Sequence, residues 1–112
     1  MASFFRMTYP TAMVLQALDA GYRYGFEIAD VVGLRPGSVY QVLRRLEDAG
    51  YAKGRWEDAE RAHEEGRPPR RYYALDPGTA PALLEHVRTR FPDLESVPGS
   101  GGMGPEAGGT PA

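Results

Sequence analysis

Two groups of arginines carry most of the chemistry this 112-residue chain could perform. The first lies in "RPGSVYQVLRRLEDAGY", residues 35–51, where Gln41, Arg44 and Arg45 stand among apolar residues at helical spacing. The second is "RPPRR", residues 67–71, with Arg67, Arg70 and Arg71. A guanidinium offers a rigid fork of N–H donors that fits paired acceptors on guanine or on phosphate, and a primary amide fits the adenine edge. Gln41 could therefore pair with adenine and Arg44 with guanine, each good pair giving ~1–3 kcal/mol of discrimination. Arg45 could serve a base or a phosphate. The cluster at 67–71 suits phosphate, which supplies affinity without sequence choice and a steep dependence on salt. The plain alternatives are a solvated helix face and a strand entrance blunted against aggregation by proline and charge.

Other chemistries have little to stand on. There is no cysteine, so no disulfide, thiolate nucleophile or cysteine-based zinc site. Glu60, His63 and Glu64 have carboxylate and imidazole at helical spacing, but one such set in a charged stretch without further ligands makes a poor metal site. His86 beside Glu85 reads as a surface or interface residue. With no glycine-rich phosphate loop, no paired acids and no Ser/His/Asp context, the expectation is a non-enzyme without metal or cofactor.

Charge is distributed unevenly. The net value of −2 argues against a basic partner-binding surface as a whole, yet nine of the 13 basic residues fall within 35–73. Seven acidic residues share that segment, which motivates a second reading in which the same fold serves as a protein-interaction module.

The elements that must position these groups follow from periodicity. A first helix runs from about Pro10 to Asp19 with Val14, Leu15 and Leu18 inward, and Gly21 just beyond it. A second covers about Gly25 to Val32 with Phe26, Ile28, Ala29 and Val32 as its apolar set. The third starts at Pro36 and ends before Gly50, a left-handed cap. At ~100° per residue its Val39, Leu43 and Leu46 fall within ~60°, while Gly37, Ser38, Gln41, Arg44, Arg45 and Asp48 occupy the opposite arc. The period then changes to two. "YAKGRWE" and "RRYYAL" read as strands, with Trp56, Tyr72 and Tyr73 packing sheet to helix, and "DAERAHEEGRPP" as a charged tip between them. A last helix begins near residues 79–81 and carries Leu83, Leu84, Val87 and Phe91 on one side. That stripe, with the first helix and "SFFRM" at the N-terminus, predicts a two-fold interface. Residues 96–112, with nine Gly or Pro among seventeen, cannot offset the entropy of ordering. The expected organisation is a domain over 1–92 and a disordered tail over 93–112. No secretory signal is recognisable at the N-terminus and no run is apolar enough to span a bilayer, so the expected location is the cytoplasm.

Three helices followed by a hairpin is the order of a winged helix-turn-helix, an α+β fold with a two-stranded wing and, here, one C-terminal helix. "YGFEIADVVGLRPGSVYQVLRRLEDAGY", "GRWED" and "GRPPRRYYAL" together resemble the PadR family of bacterial transcriptional regulators over about residues 11–90. The resemblance implies a homodimeric DNA-binding factor, usually a repressor, often released by a small apolar effector. It places Ser38 and Tyr40 near DNA at the start of the recognition helix and Arg70 and Arg71 on the wing strand. Gln41 stands where the family often has proline, and Arg35-Pro36 where it often has serine.

Overall fold

The computed structural model describes residues 5–94. Most of the expected tail, from residue 95 on, and the first part of "SFFRM" lie outside the described residues. Five helices and a two-stranded sheet follow in the order α1 (Tyr9–Asp19), α2 (Gly25–Val32), α3 (Pro36–Asp48), β1 (Ala52–Trp56), α4 (Ala59–Glu64), β2 (Arg71–Leu75) and α5 (Ala80–Arg90).

Helix α1 starts where the Thr8 side chain accepts a bond from the Thr11 amide, and proline occupies its first turn. It is the central helix and buries Thr11, Ala12, Val14, Leu15, Ala17 and Leu18, more than the single stripe its spacing predicts. Gly33, at φ 75°, closes α2 in the left-handed conformation that any side chain would strain. Against α1 sit Ile28 of α2 and Val39, Leu43 and Leu46 of α3, all fully buried. Each such side chain contributes about 1.5–3 kcal/mol relative to exposure.

Four expectations change here. Phe26 is 63% exposed instead of packing with Ile28. Two helical steps put it on the far side of α2 from the core. Val42 joins the buried face of α3, which is therefore wider than Val39, Leu43 and Leu46 alone indicate. Trp56 is 64% exposed while Glu57, which follows it, is buried. Ala52 and Trp56 share a side of β1, but that side starts over the core and ends beyond it. Finally, the charged tip contains α4, capped by the Asp58 side chain accepting from the Glu60 amide, with Gly66 turning the chain out at φ 71°.

The strands pair antiparallel, Ala52 opposite Leu75, Gly54 opposite Tyr73 and Trp56 opposite Arg71. The wing is tied back to the helices by an isolated bridge between Tyr24 and Tyr72 and by the Tyr73 amide donating to the Arg23 carbonyl at 2.7 Å. Helix α5 is joined to the end of α3, because the Thr79 hydroxyl donates to the Gly50 carbonyl at 2.7 Å. No helix among the described residues is long and apolar enough to cross a membrane.

Candidate nucleic-acid interface

The outward arc of α3 presents Ser38, Gln41 and Arg44, all exposed. Arg44 makes no hydrogen bond or ion pair among the described residues. Proline at the first turn and an N-cap residue, Arg35, whose side chain makes no capping bond leave that end of the helix free of a side-chain acceptor. Asp48 is exposed on the same arc at the far end, so negative charge enters the face by the last turn.

Arg45 behaves differently from Arg44. Its guanidinium folds back across α1, donating to the Arg6 carbonyl at 3.0 Å and the Thr11 hydroxyl at 3.3 Å, and lies 5.0 Å from the Phe5 ring centroid. Once Val42 is counted in the buried face, Arg45 stands only about 60° from that face's edge, within reach of α1. Its outward placement is therefore corrected: Arg45 borders the core.

Tyr40 occupies the other edge of α3, 37% exposed. The hydroxyl end of its ring packs on Gly25, so closely that a Cβ there would come within 2.4 Å of two ring carbons. Glycine at the first position of α2 is what lets the two helices of the turn approach. Phe26 meets the same ring edge to face at 6.0 Å. Burial first, and the neighbouring Tyr73 second, push the Tyr40 hydroxyl above its ordinary range, so it stays an O–H donor.

At the wing the three arginines are in three different states. Arg67 forms a two-pronged pair with Glu57, at 2.6 and 2.8 Å, and also reaches Glu65 at 2.8 Å. Glu57 further accepts from the Arg70 amide at 3.1 Å, and its own amide donates to the Arg70 carbonyl at 2.7 Å. The hydrogen bond from Arg67, against the opposing effect of burial, holds the Glu57 carboxyl down to about 2. Arg67 is thus a fastener across the base of the wing, its charge already compensated. Arg71 arches over Gly54, where a Cβ would meet its guanidinium at 2.8 Å, and pairs with Glu47 of α3 at 2.7 Å. Arg70 alone of the three has no carboxylate partner among the described residues; its guanidinium sits 4.2 Å over the Tyr24 ring.

The eight residues singled out in the sequence therefore separate. Ser38, Gln41 and Arg44 are exposed, Arg70 is half-buried over Tyr24 without a carboxylate partner among the described residues, Tyr40 sits at a packed edge, and Arg45, Arg67 and Arg71 are engaged within the protomer. The sequence reading missed Glu47 and Glu57, which set the state of Arg71 and Arg67. Glu47 is 24 residues from Arg71 and Glu57 is 10 from Arg67, separations that carry no local signal. Gly25, missed as well, opens α2 directly after Tyr24, where a helix-starting glycine was noted only as a boundary.

The α5 stripe also divides. Leu83 is 5% and Val87 1% exposed, both packed into the protomer's own core, whereas Leu84 and Phe91 are only partly covered. Phe91 meets Tyr9 edge to face at 5.6 Å, and Tyr9 is 52% exposed.

A three-helix unit whose third helix faces outward beside a β-hairpin tied to the second is a winged helix-turn-helix. Residues 14–80, more than half of the chain, match the Transcriptional regulator PadR-like family, and the chain belongs to that family, one of regulators and not enzymes. Solved structures share the fold. A PadR family transcription regulator from Clostridium difficile R20291 superposes with a TM-score of 0.62 at 24% identity, over 76% of this chain and 88% of that one. The Lactococcus lactis protein ZitR, a zinc-responsive MarR family member, gives 0.57 at 20% identity over 79% of this chain and 56% of its own. A ZitR mutant gives 0.59 at 18% identity, and this chain spans 57% of its length. No curated protein matches the chain. Among the described residues there is no group of three or more His, Cys, Asp or Glu able to hold a metal ion.

Proposed function

We propose that this regulator is a sequence-specific DNA-binding protein, a repressor that reads an inverted repeat as a homodimer and acts in the cytoplasm. The observation that carries the reading is the outward arc of α3, where Gln41 and Arg44, the latter without an ion-pair partner among the described residues, stand opposite the buried Val39, Leu43 and Leu46, with Ser38 exposed beside them in the first turn. Such an arc has the donors and acceptors that base edges in the major groove require. Of the three arginines at 67–71, Arg70 is the one available to flanking phosphate, and the Asp58, Glu60 and Glu64 side chains of the tip keep that end off the backbone. Partly exposed Tyr9, Leu84 and Phe91 support a two-fold contact through α1 and α5. Dimerisation would set the two α3 helices about one DNA turn, ~34 Å, apart. A small apolar effector that alters that separation would release the operator.

The test is selection of bound duplexes from a random pool at ~150 mM salt, run beside Arg44→Ala. An enriched palindrome lost in the variant is the expected result. Wild type and variant recovering the same unenriched pool would refute DNA reading and favour the protein-interaction alternative.

A further inference from the structure

Strand β1 has a partner on one side only. The Asp76 amide donates to the Tyr51 carbonyl at 2.9 Å, and the Glu57 amide to the Arg70 carbonyl at 2.7 Å. Between these two bonds the antiparallel pairing alternates, so Lys53 bonds with Ala74 and Arg55 with Tyr72. The main-chain N–H and C=O groups of Gly54 and Trp56 therefore point away from β2, toward a side on which no strand lies among the described residues. An edge of this kind is a template for one more strand.

The side chains along the edge are sorted by face. Lys53 and Arg55 project from one face, where the Arg55 and Arg23 guanidiniums lie 6.0 and 5.3 Å from the Tyr72 ring centroid. Neither arginine has a carboxylate partner among the described residues, and Lys53, with its side chain 80% exposed, comes no nearer than 3.6 Å to Asp76. Glu57, next in the same row, is taken up by Arg67. The other face carries the exposed Trp56, and Gly54 beneath the Arg71 guanidinium. Phosphate oxygens accept but do not donate, so they would leave the Gly54 and Trp56 carbonyls unmet. A second copy of β1 paired about Gly54 would set Lys53 against Arg55, and like charges directly opposite are destabilising. An extended chain with carboxylates at alternate positions meets every demand. Its amides and carbonyls answer the edge, its carboxylates lie opposite Lys53 and Arg55, and the residues between them share the face of Trp56.

We propose that the open edge of β1 docks an extended acidic peptide of a partner protein, added antiparallel as a further strand, with carboxylates two residues apart and apolar residues on either side of each. The site belongs to one protomer, and it stands whether or not α3 reads DNA.

The probe is acetyl-Val-Glu-Val-Glu-Val-amide, with lysine in place of glutamate in its counterpart, titrated into the ¹⁵N-labelled full chain. Trp56 is the only tryptophan, so its indole N–H gives one resonance to follow beside the backbone amides of Gly54 and Trp56. Saturable shifts of all three are expected, with the glutamate peptide binding at least ~5-fold more tightly than the lysine peptide. At saturation the Gly54 and Trp56 amides should exchange with solvent ~10-fold more slowly, while those of Lys53 and Arg55, already bonded to β2, change less. Methylating the nitrogen of the central valine removes the donor to the Gly54 carbonyl and should abolish binding. Lys53→Glu combined with Arg55→Glu, both at exposed positions, should reverse the preference toward the lysine peptide, a result that loss of fold would not give. No saturable shift, equal affinity for the two peptides, or binding that survives valine methylation would overturn the docking site. Protection of the Gly54 and Trp56 amides that grows with protein concentration in the absence of peptide would also overturn it, assigning the edge to a second copy. Equal affinity for the peptides together with loss of the selected duplex in the charge-reversed chain would assign the face to phosphate instead. Failure of the wild type to bind any duplex overturns the DNA reading and leaves the peptide result standing.

Discussion

Replacing Gly25 by alanine should destabilise the protein, against the usual direction for such a change. The backbone at Gly25 is not in the left-handed region, so alanine is conformationally acceptable there. At a compatible helical position, alanine ordinarily adds ~0.4–1 kcal/mol by reducing the freedom of the unfolded chain. Here the new methyl would fall 2.4 Å from two ring carbons of Tyr40 and 2.7 Å from its hydroxyl oxygen, so the ring or helix α2 must move. Overpacking of this kind costs ~1–3 kcal/mol. The net expectation is a loss of about 1–2 kcal/mol, read as a lower urea midpoint with unchanged slope. The same change in a Tyr40→Ser background has nothing to strike and should regain the ordinary stabilisation. The double-mutant cycle should therefore give a coupling of about 1.5–3 kcal/mol. A Gly25→Ala protein more stable than wild type, or a coupling indistinguishable from zero, would refute the account of how α2 and α3 meet.

The adjacent arginines of α3 should separate by assay: Arg44→Ala leaves the urea midpoint in place and removes selection of the palindrome, whereas Arg45→Ala, losing its bonds to Arg6 and Thr11, lowers stability by about 1 kcal/mol. Glu47→Gln frees Arg71 and should tighten binding to any duplex by up to ~5-fold at moderate salt, measured by fluorescence anisotropy. The Glu57 carboxyl is depressed in the folded chain from its ordinary 4.5 to about 2, so its stabilising contribution is complete above pH 4.5 and is lost as pH falls through that window toward 2. Glu57→Gln should lower the melting temperature at neutral pH and make the decline between those two values shallower, as thermal melts across the range would show.

Much of the frame was readable from periodicity because one face of each element is covered. Three buried residues on α3 fixed its inner side, and the change from a period near 3.6 to a period of two located the hinge between helices and wing. What failed to read out depended on where the core ends. Alternation along β1 gives two sides but not the point at which one of them leaves the core, so Trp56 was expected inside and Glu57 outside. The omission of Val42 turned the buried arc of α3 slightly and with it the expected direction of Arg45. Helix α4 escaped notice because it offers only Ala62 for burial and has no apolar stripe, although Asp58 at its start and Gly66 past its end are ordinary boundary signals. For the candidate interface, residue types were legible and their states were not. Whether an arginine is available depends on carboxylates distant in sequence, as Glu47 is from Arg71, and spacing carries no trace of such pairs. The stripe on α5 was likewise visible, but not that Leu83 and Val87 would find their partners at home.

The fastening of the wing has a consequence for how the molecule comes apart. Ala62 is fully buried, yet it does not belong to the main hydrophobic cluster; its carbonyl accepts from the Arg67 amide at 3.1 Å within the wing itself. Residues 57–70 are thus held closed by their own contacts, with the Glu57–Arg67 pair as the seam. Opening that seam exposes almost none of the surface buried by α1, α2 and α3. Two separately exchanging units are the expected result, a small one that opens with the seam and a large one that opens only on global unfolding. Amide protons in 59–66 report the first, and those of Leu15, Leu43 and Leu46 the second.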